Sequence, residues 1–460
     1  MKAQGRDAID LGTLNVWKLF RKYFIPTLLG MLSMSAVTAI DGIFVGQGVG
    51  SDGIAAVNIA IPLYMLYTGI GLMIGVGCSV VASIHLSRGK CKVARLNVTQ
   101  ALLFATFITA IPTAVMTIFP ETTVRLLGAS DYLVPLAVDY LQWFVPSWTF
   151  QVWISIALFI IRLDGAPKLA MCCSLITAII NLVLDWIFIF PLQWGVMGAA
   201  IATSISLVAG GSVAVMYLWL SARQLRLCPL KLSRKSLFLS VRNLYYQCHI
   251  GASSLLAEAT MATLIFTGNQ IFMQYLGEDG VGAFGITCYY MPFTFMIGNA
   301  IAQSAQPIIS YNFGLGYRER VRQTEKIALL TSVYCGAVVT AVFMLFPQIL
   351  VGIFIDLRSH AAQLATAGFP LFATAFLFFI LNLTIIGYYQ SVQRVKPATL
   401  LALARGFFFL IPSFICLPLC LGTDGIWLAL SLSELLTLLL GLLLRLIATK
   451  SRTKRGRQEN

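Results

Sequence analysis

Two carboxylates, one amide and one hydroxyl carry the chemistry this chain can offer. Asp41 lies inside an apolar run over 23–48, Asn181 and Asp185 stand four apart inside another over 169–193, and Thr203 lies in a third over 196–222. Side chains four apart share one face of a helix. Exposing an Asp at the centre of a membrane helix costs about 2.5 kcal/mol or more, so acids there need a reason. Carboxylate, amide and hydroxyl oxygens together form a hard site suited to Na⁺. Two carboxylates held close together and away from water can instead carry a proton. The plainer alternative is that Asp41 and Asp185 only satisfy partners in a polar contact between helices.

The elements that must position these groups follow from composition. The chain has 460 residues, 58% of them hydrophobic and 11% charged, against roughly 25% charged in soluble domains. This excludes a soluble enzyme, and the shortage of polar surface excludes a nucleic-acid binder despite a net charge of +14. Apolar runs recur at about 23–48, 54–84, 96–120, 132–161, 169–193, 196–222, 244–276, 281–310, 327–355, 361–391, 398–421 and 425–447. Each is long enough to cross about 30 Å of hydrocarbon as a helix. The fold class is an all-α polytopic membrane protein with twelve spans; a membrane barrel would alternate apolar and polar residues.

Charge sets the orientation. Every basic residue except Arg125 and Arg358 falls, on this reading, in alternate connections or termini, with Arg162 and Arg405 counted among them. The positive-inside rule makes that side cytoplasmic, and both termini with it. Runs 1 and 5 then head outward, which puts Asp41, Asn181 and Asp185 in their outer halves. Run 6 returns from the outside, so Thr203 lies at a comparable depth.

The sequence also repeats itself. GSDGIAAV (50–57) resembles GEDGVGAF (277–284), Pro167 matches Pro397, and Gly195-Val196 matches Gly425-Ile426, at offsets near 230. Two pseudo-symmetric six-helix lobes are expected, related by an axis along the membrane normal because six is even. The expected division is a segment 1–22, an N-lobe 23–222, a linker 223–243, a C-lobe 244–447 and a basic tail 448–460. The ten cysteines lack metal-ligand spacing and read as packing residues. No cleavable signal segment is expected at the N-terminus.

Lesser candidates are Glu258 and Glu434, for coupling or substrate, and Asp139 near the outer end of run 4. His85 suits an interfacial role. A cavity for flat hydrophobic cations needs aromatic faces, flexible thioethers and a few acceptors; Asn269, Gln270, Tyr289 and Met291 offer these. Lipid or packing contact competes at each aromatic.

Five stretches carry a family resemblance: AIDGIFVGQGVGSDGIAAVNIAIP (39–62), GVGCSVVASIHLSRGK (75–90), IINLVLDWIFI (179–189), GVMGAAIATSIS (195–206) and AQPIISYNFGLGYRERV (305–321). In order and spacing the chain resembles the multidrug and toxic compound extrusion (MATE) family, in particular its bacterial MepA-like branch. The resemblance implies two lobes around a cavity open alternately to each side, and export of amphipathic, often cationic compounds against inward H⁺ or Na⁺ flow. Its pattern of an acid in the first helix, Asn and Asp in the fifth and Thr in the sixth falls on Asp41, Asn181, Asp185 and Thr203. Glu258 resembles an acid of the seventh helix in some relatives. The tenth-helix acid of another branch is missing here, with Asn382 the nearest polar residue.

The expected function is secondary active multidrug efflux in a bacterial cytoplasmic (inner) membrane. The protein is expected to work as a monomer, not as an enzyme, with no cofactor beyond a Na⁺ on Asp41, Asn181, Asp185 and Thr203 if sodium is the coupling ion. Expected partners are small amphipathic or cationic molecules, H⁺ or Na⁺, and the bilayer. A lipid-linked precursor flippase of related fold and a non-transporting receptor are the alternatives. No GxxxxGK[ST] loop is present to bind ATP.

Overall fold

The computed structural model describes residues 10–129, 131–230 and 233–458. Lys2, Arg6 and Lys231, counted above in the charge pattern, lie outside the described residues. In chain order the helices are α1 (Val16–Gly48), α2 (Ser51–Ser87), α3 (Cys91–Ile118), α4 (Pro120–Leu126), α5 (Val134–Phe144), α6 (Trp148–Leu163), α7 (Pro167–Ile189) and α8 (Gly195–Met216). There follow α9 (Arg234–Leu315), α10 (Arg318–Leu345), α11 (Pro347–Gly352), α12 (His360–Ser391), α13 (Val395–Leu403), α14 (Leu410–Leu421) and α15 (Thr423–Gln458). The fold is all-α, and among the described residues eleven helical stretches are long and apolar enough to cross a membrane.

Local chemistry explains the breaks. Asn15 caps α1 by accepting from the N–H groups of Trp17 and Lys18 at 3.0 and 3.2 Å. The 82-residue α9 is interrupted at Gly277, whose φ of 66° suits glycine and divides the helix into two arms. The run expected at 132–161 is divided into α5 and α6 by a 3₁₀ turn over Val145–Ser147. Pro146 has no N–H for the helical ladder and explains that interruption. Lys18, Arg21 and Lys22 lie within the first turns of α1 rather than ahead of it, and α9 begins inside the stretch expected as a linker.

Alongside a buried apolar core, the outer helices also turn large apolar side chains outward. Along α7 the buried face carries Ala170, Ser174, Thr177, Asn181, Asp185 and Ile189, while Ile176, Ile179, Val183 and Trp186 are exposed. Helix α3 likewise exposes Phe107, Ile111, Val115 and Ile118. Lipid covers such apolar faces, and small or polar residues turn inward to pack.

By packing, the chain forms two compact units. One comprises the chain up to Glu258 together with Gln303–Thr324; the other comprises Ala259–Ala302 and the chain from Glu325 onward. In the first, glycines set close helix contacts. A methyl at Gly71 would crowd Ser155, and one at Gly75 would crowd Phe159, so these two seat α2 on α6. In the second, Glu325 pairs with Arg445, and the hydroxyls of Ser332 and Thr384 bond at 2.7 Å.

Candidate functional site

The acid layer belongs to the first unit. In α1, Gly30, Asp41 and Gly48 are separated by 11 and 7 residues, which at 3.6 per turn leaves them within about 20° of one another. That face packs on α7: a methyl at Gly30 would sit 3.4 Å from Met171 Cα, and one at Gly48 would overlap Ile189. The two helices run side by side in the same direction. Asp41 is therefore held at the level of Asn181 and Asp185.

There the side chains of Asp41 and Asp185 are close neighbours that interact electrostatically. Asp185 is 1% exposed and the Asn181 amide lies close to it, yet among the described residues no hydrogen bond is made to either Asp185 oxygen or to Oδ1 of Asp41. Two ionised carboxylates about 4 Å apart repel by about 4 kcal/mol at an effective dielectric of 20. Each loses hydration as well. A proton or a cation between them removes that conflict.

The neutral partners are ordered alongside. Asn181 Nδ2 donates to Thr203 Oγ1 at 3.2 Å, and Thr203 Oγ1 donates to the carbonyl of Ala199 at 3.0 Å. The amide oxygen of Asn181 and a remaining lone pair of Thr203 stay available to a cation. Among the described residues no group of three or more His, Cys, Asp or Glu forms a metal cluster. The donor set has only two carboxylates, which suits a monovalent ion or a proton.

Two tyrosines missing from the sequence reading join this layer. Tyr140 of α5 interacts electrostatically with Asp41, Asp185 and Tyr64, and Tyr64 of α2 interacts with both Glu258 and Asp41. Glu258 is buried beside Gly69, where a methyl would lie 3.5 Å from its Cβ. Glu258 thus falls in the same unit as the acid pair. Only the rotation of α2 and α5 reveals these tyrosines, since any of several aromatics in those runs could have faced inward.

The second unit holds a different arrangement. Glu434, a candidate above for coupling or substrate, accepts from Arg405 Nε at 2.9 Å and from Asn382 Nδ2 at 2.7 Å; Asn382 also donates to the Glu434 carbonyl at 2.8 Å. Arg405 and Glu434 are 1% and 0% exposed. Arg405 was assigned above to a basic connection. It lies instead in a π-helical turn over Ala404–Phe408, with its guanidinium carbon 4.1 Å from the Phe379 ring centroid. The missed signal was positional: Arg405 is already seven residues into the run 398–421, where a buried base needs a buried acid.

The remaining candidates are dispersed. Asp139 is exposed on α5. Asn269 is half-buried and Gln270 exposed, both in the first arm of α9. Tyr289 stacks on Phe354 with centroids 5.3 Å apart, and Met291 is buried in packing.

Comparison with known proteins fits this construction. A sequence profile of the MatE family matches residues 26–187 and again 254–415, the second match starting 228 residues after the first. The multidrug export protein MepA of Staphylococcus saprophyticus is 24% identical over 437 residues, covering 94% of this chain and 93% of that protein. An outward-facing multidrug resistance MATE family transporter of the MOP superfamily superposes with a TM-score of 0.89 at 20% identity, covering 98% of this chain and 100% of that one. A Vibrio cholerae MATE transporter superposes with a TM-score of 0.85 at 20% identity, covering 95% and 97%. The structural likenesses establish fold, and the doubled profile match establishes descent: this chain belongs to the MatE family of membrane transporters.

Proposed function

We propose that the protein is a secondary active exporter of hydrophobic or cationic compounds, driven by inward flow of H⁺ or Na⁺ through alternating access. The observation that carries this reading is the buried pair Asp41–Asp185, two neighbouring carboxylates with the Asn181 amide beside them and, among the described residues, no hydrogen bond made to either oxygen of Asp185. Such a pair binds a cation strongly and loses it when water or a substituting charge reaches it. Asn181 and Thr203 complete the donors if the ion is Na⁺. The MepA relatives, described as multidrug export proteins, support the substrate class.

The proposed topology has twelve spans in two six-helix lobes, counting the arms of α9 on either side of Gly277 separately. The doubled family match at an offset of 228 supports this. Basic connections orient it with both termini inside a bacterial cytoplasmic membrane. From the outward-open state, an ion binds at Asp41 and Asp185 and alters the packing of α1, whose ladder is already interrupted at Pro26. Substrate leaves outward, and the loaded protein returns to face the cytoplasm. A ligand that binds one state more tightly suffices to shift the populations.

The test is dye efflux from reconstituted vesicles with proton and sodium gradients imposed separately. One gradient should drive export of a lipophilic cation. If neither drives any member of a broad dye panel, the proposal fails.

A further inference from the structure

The first unit contains a seam that the acid layer does not explain. It lies at the basic end of the spans, where α2, α3 and α6 meet the beginning and the end of α9. Helix α2 and the first arm of α9 touch backbone to backbone: a methyl at Gly77 would overlap the carbonyl of Gln247, and one at Gly251 would overlap that of Met73. Around this contact the bonds are neutral and buried. Gln247 Nε2 donates to Asn97 Oδ1 at 2.9 Å, and Ser79 Oγ donates to Gln306 Oε1 at 3.1 Å.

One charge interrupts the pattern. Arg162, 4% exposed, donates through Nη2 to Gln303 Oε1 at 2.5 Å and lies 5.0 Å from the Phe159 ring centroid. Among the described residues its Nε makes no hydrogen bond and no carboxylate pairs with it. Asp164, two residues on, is occupied by the N–H groups of Arg223, Gln224 and Leu225 and by the Tyr217 hydroxyl. A guanidinium deprived of water and of a counter-charge loses more than one hydrogen bond to a neutral amide returns.

We propose that this seam is the gate closing the basic side of the transporter, and that Arg162 is its gating residue. The buried charge destabilises the closed seam and regains water when the seam opens. Gln303 works in the opposite sense, stabilising closure by accepting from Arg162. The remaining contacts are glycine approaches and neutral hydrogen bonds, each weak enough to be broken in every cycle. The inference rests on the export reading for its purpose, although its test needs no transport.

Cys78 provides a native reporter. It is fully buried beside Gly77 and lies 3.8 Å from the Asn97 carbonyl, whereas Cys91, at the start of α3, is exposed. Inside-out vesicles carrying the full-length protein with its own cysteines are treated with a membrane-impermeant maleimide, and modification of Cys78 relative to Cys91 is read by peptide mass spectrometry. Arg162→Met, similar in length but uncharged, should slow Cys78 labelling about tenfold or more, and Gln303→Ala should speed it by a similar factor. Arg162→Lys, which keeps the charge, should stay close to the unsubstituted rate, and the melting profile of each variant checks folding. Opposite shifts support the gate. A shift of both variants in the same direction, as simple loosening would give, overturns it, as does Cys78 labelling unchanged or absent throughout. Opposite labelling shifts in a protein that exports no dye would leave the gate standing and remove the export reading.

Discussion

Replacing Glu434 by Gln removes what is, among the described residues, the one counter-charge of a guanidinium that is 1% exposed and whose Nη1 and Nη2 make no hydrogen bond there. Breaking one side of a buried pair is destabilising by about 3–5 kcal/mol, because the other charge stays buried and uncompensated. Arg405→Met does the mirror image, leaving a carboxylate at 0% exposure to which, among the described residues, the Asn382 amide is the one remaining side-chain donor. The double substitution Arg405→Met/Glu434→Gln removes both charges, keeps much of the volume and leaves Asn382 an amide oxygen as acceptor. It should fall within about 1–2 kcal/mol of the unsubstituted protein, since apolar replacement of a buried pair is often close to neutral. Denaturation of the four purified proteins in one detergent gives the cycle, with a coupling energy of about 3 kcal/mol or more expected. Dye efflux by the double variant should persist if the carboxylate held by Arg405 and Asn382 serves to position α12, the turn between α13 and α14, and α15 rather than to carry an ion. Single substitutions costing under about 1 kcal/mol, or single effects that simply add in the double, would refute the reasoning. A stable double variant with no gradient-driven efflux would return Glu434 to the coupling machinery.

Three further outcomes follow from the packing and the acid layer. Gly77→Ala should cost about 1–3 kcal/mol by forcing α2 off the Gln247 carbonyl, whereas Gly30→Ala, whose methyl would meet only ordinary contacts on α7, should stay within about 0.5 kcal/mol; thermal denaturation separates them. Asp164→Asn weakens a carboxylate that accepts three backbone N–H groups and a tyrosine hydroxyl, so a loss of about 1–3 kcal/mol and faster hydrogen exchange over 222–225 are expected. Thr203→Ala should lower gradient-driven efflux several-fold by releasing Asn181, and Thr203→Ser, which keeps the hydroxyl, should restore most of it.

The parts legible in the sequence are those fixed by one-dimensional geometry. A helix advances 1.5 Å per residue, so the distance of Asp41, Asp185 and Thr203 from the ends of their runs set their depth, and the spacing of four between Asn181 and Asp185 set their common face. What stayed hidden depends on rotation and partnering. Tyr140 and Tyr64 come close enough to the acids to interact electrostatically because of how α5 and α2 are turned about their axes, which no spacing within either run specifies. Arg405 and Arg162 were absorbed into the charge bias of the connections, a rule that counts bases near span ends and does not ask whether each reaches water. Their partners, Glu434 and Gln303, stand 29 and 141 residues away. The fourth span was expected as one run and does form one helical stretch over Val134–Leu163; the 3₁₀ turn inside it was legible in principle at Pro146, but a proline within an apolar run either bends or interrupts a helix, and only neighbouring packing decides which.

The measurement closest to the heart of the mechanism is gradient-driven efflux by Asp41→Asn and Asp185→Asn, each reconstituted at matched protein level with folding verified. An amide places a permanent donor where the pair otherwise needs a proton or cation, so both variants should bind dye yet lose export under the gradient that drives the unsubstituted protein. Near-normal, gradient-dependent export by both would show that the ion passes elsewhere and that the two acids only pack.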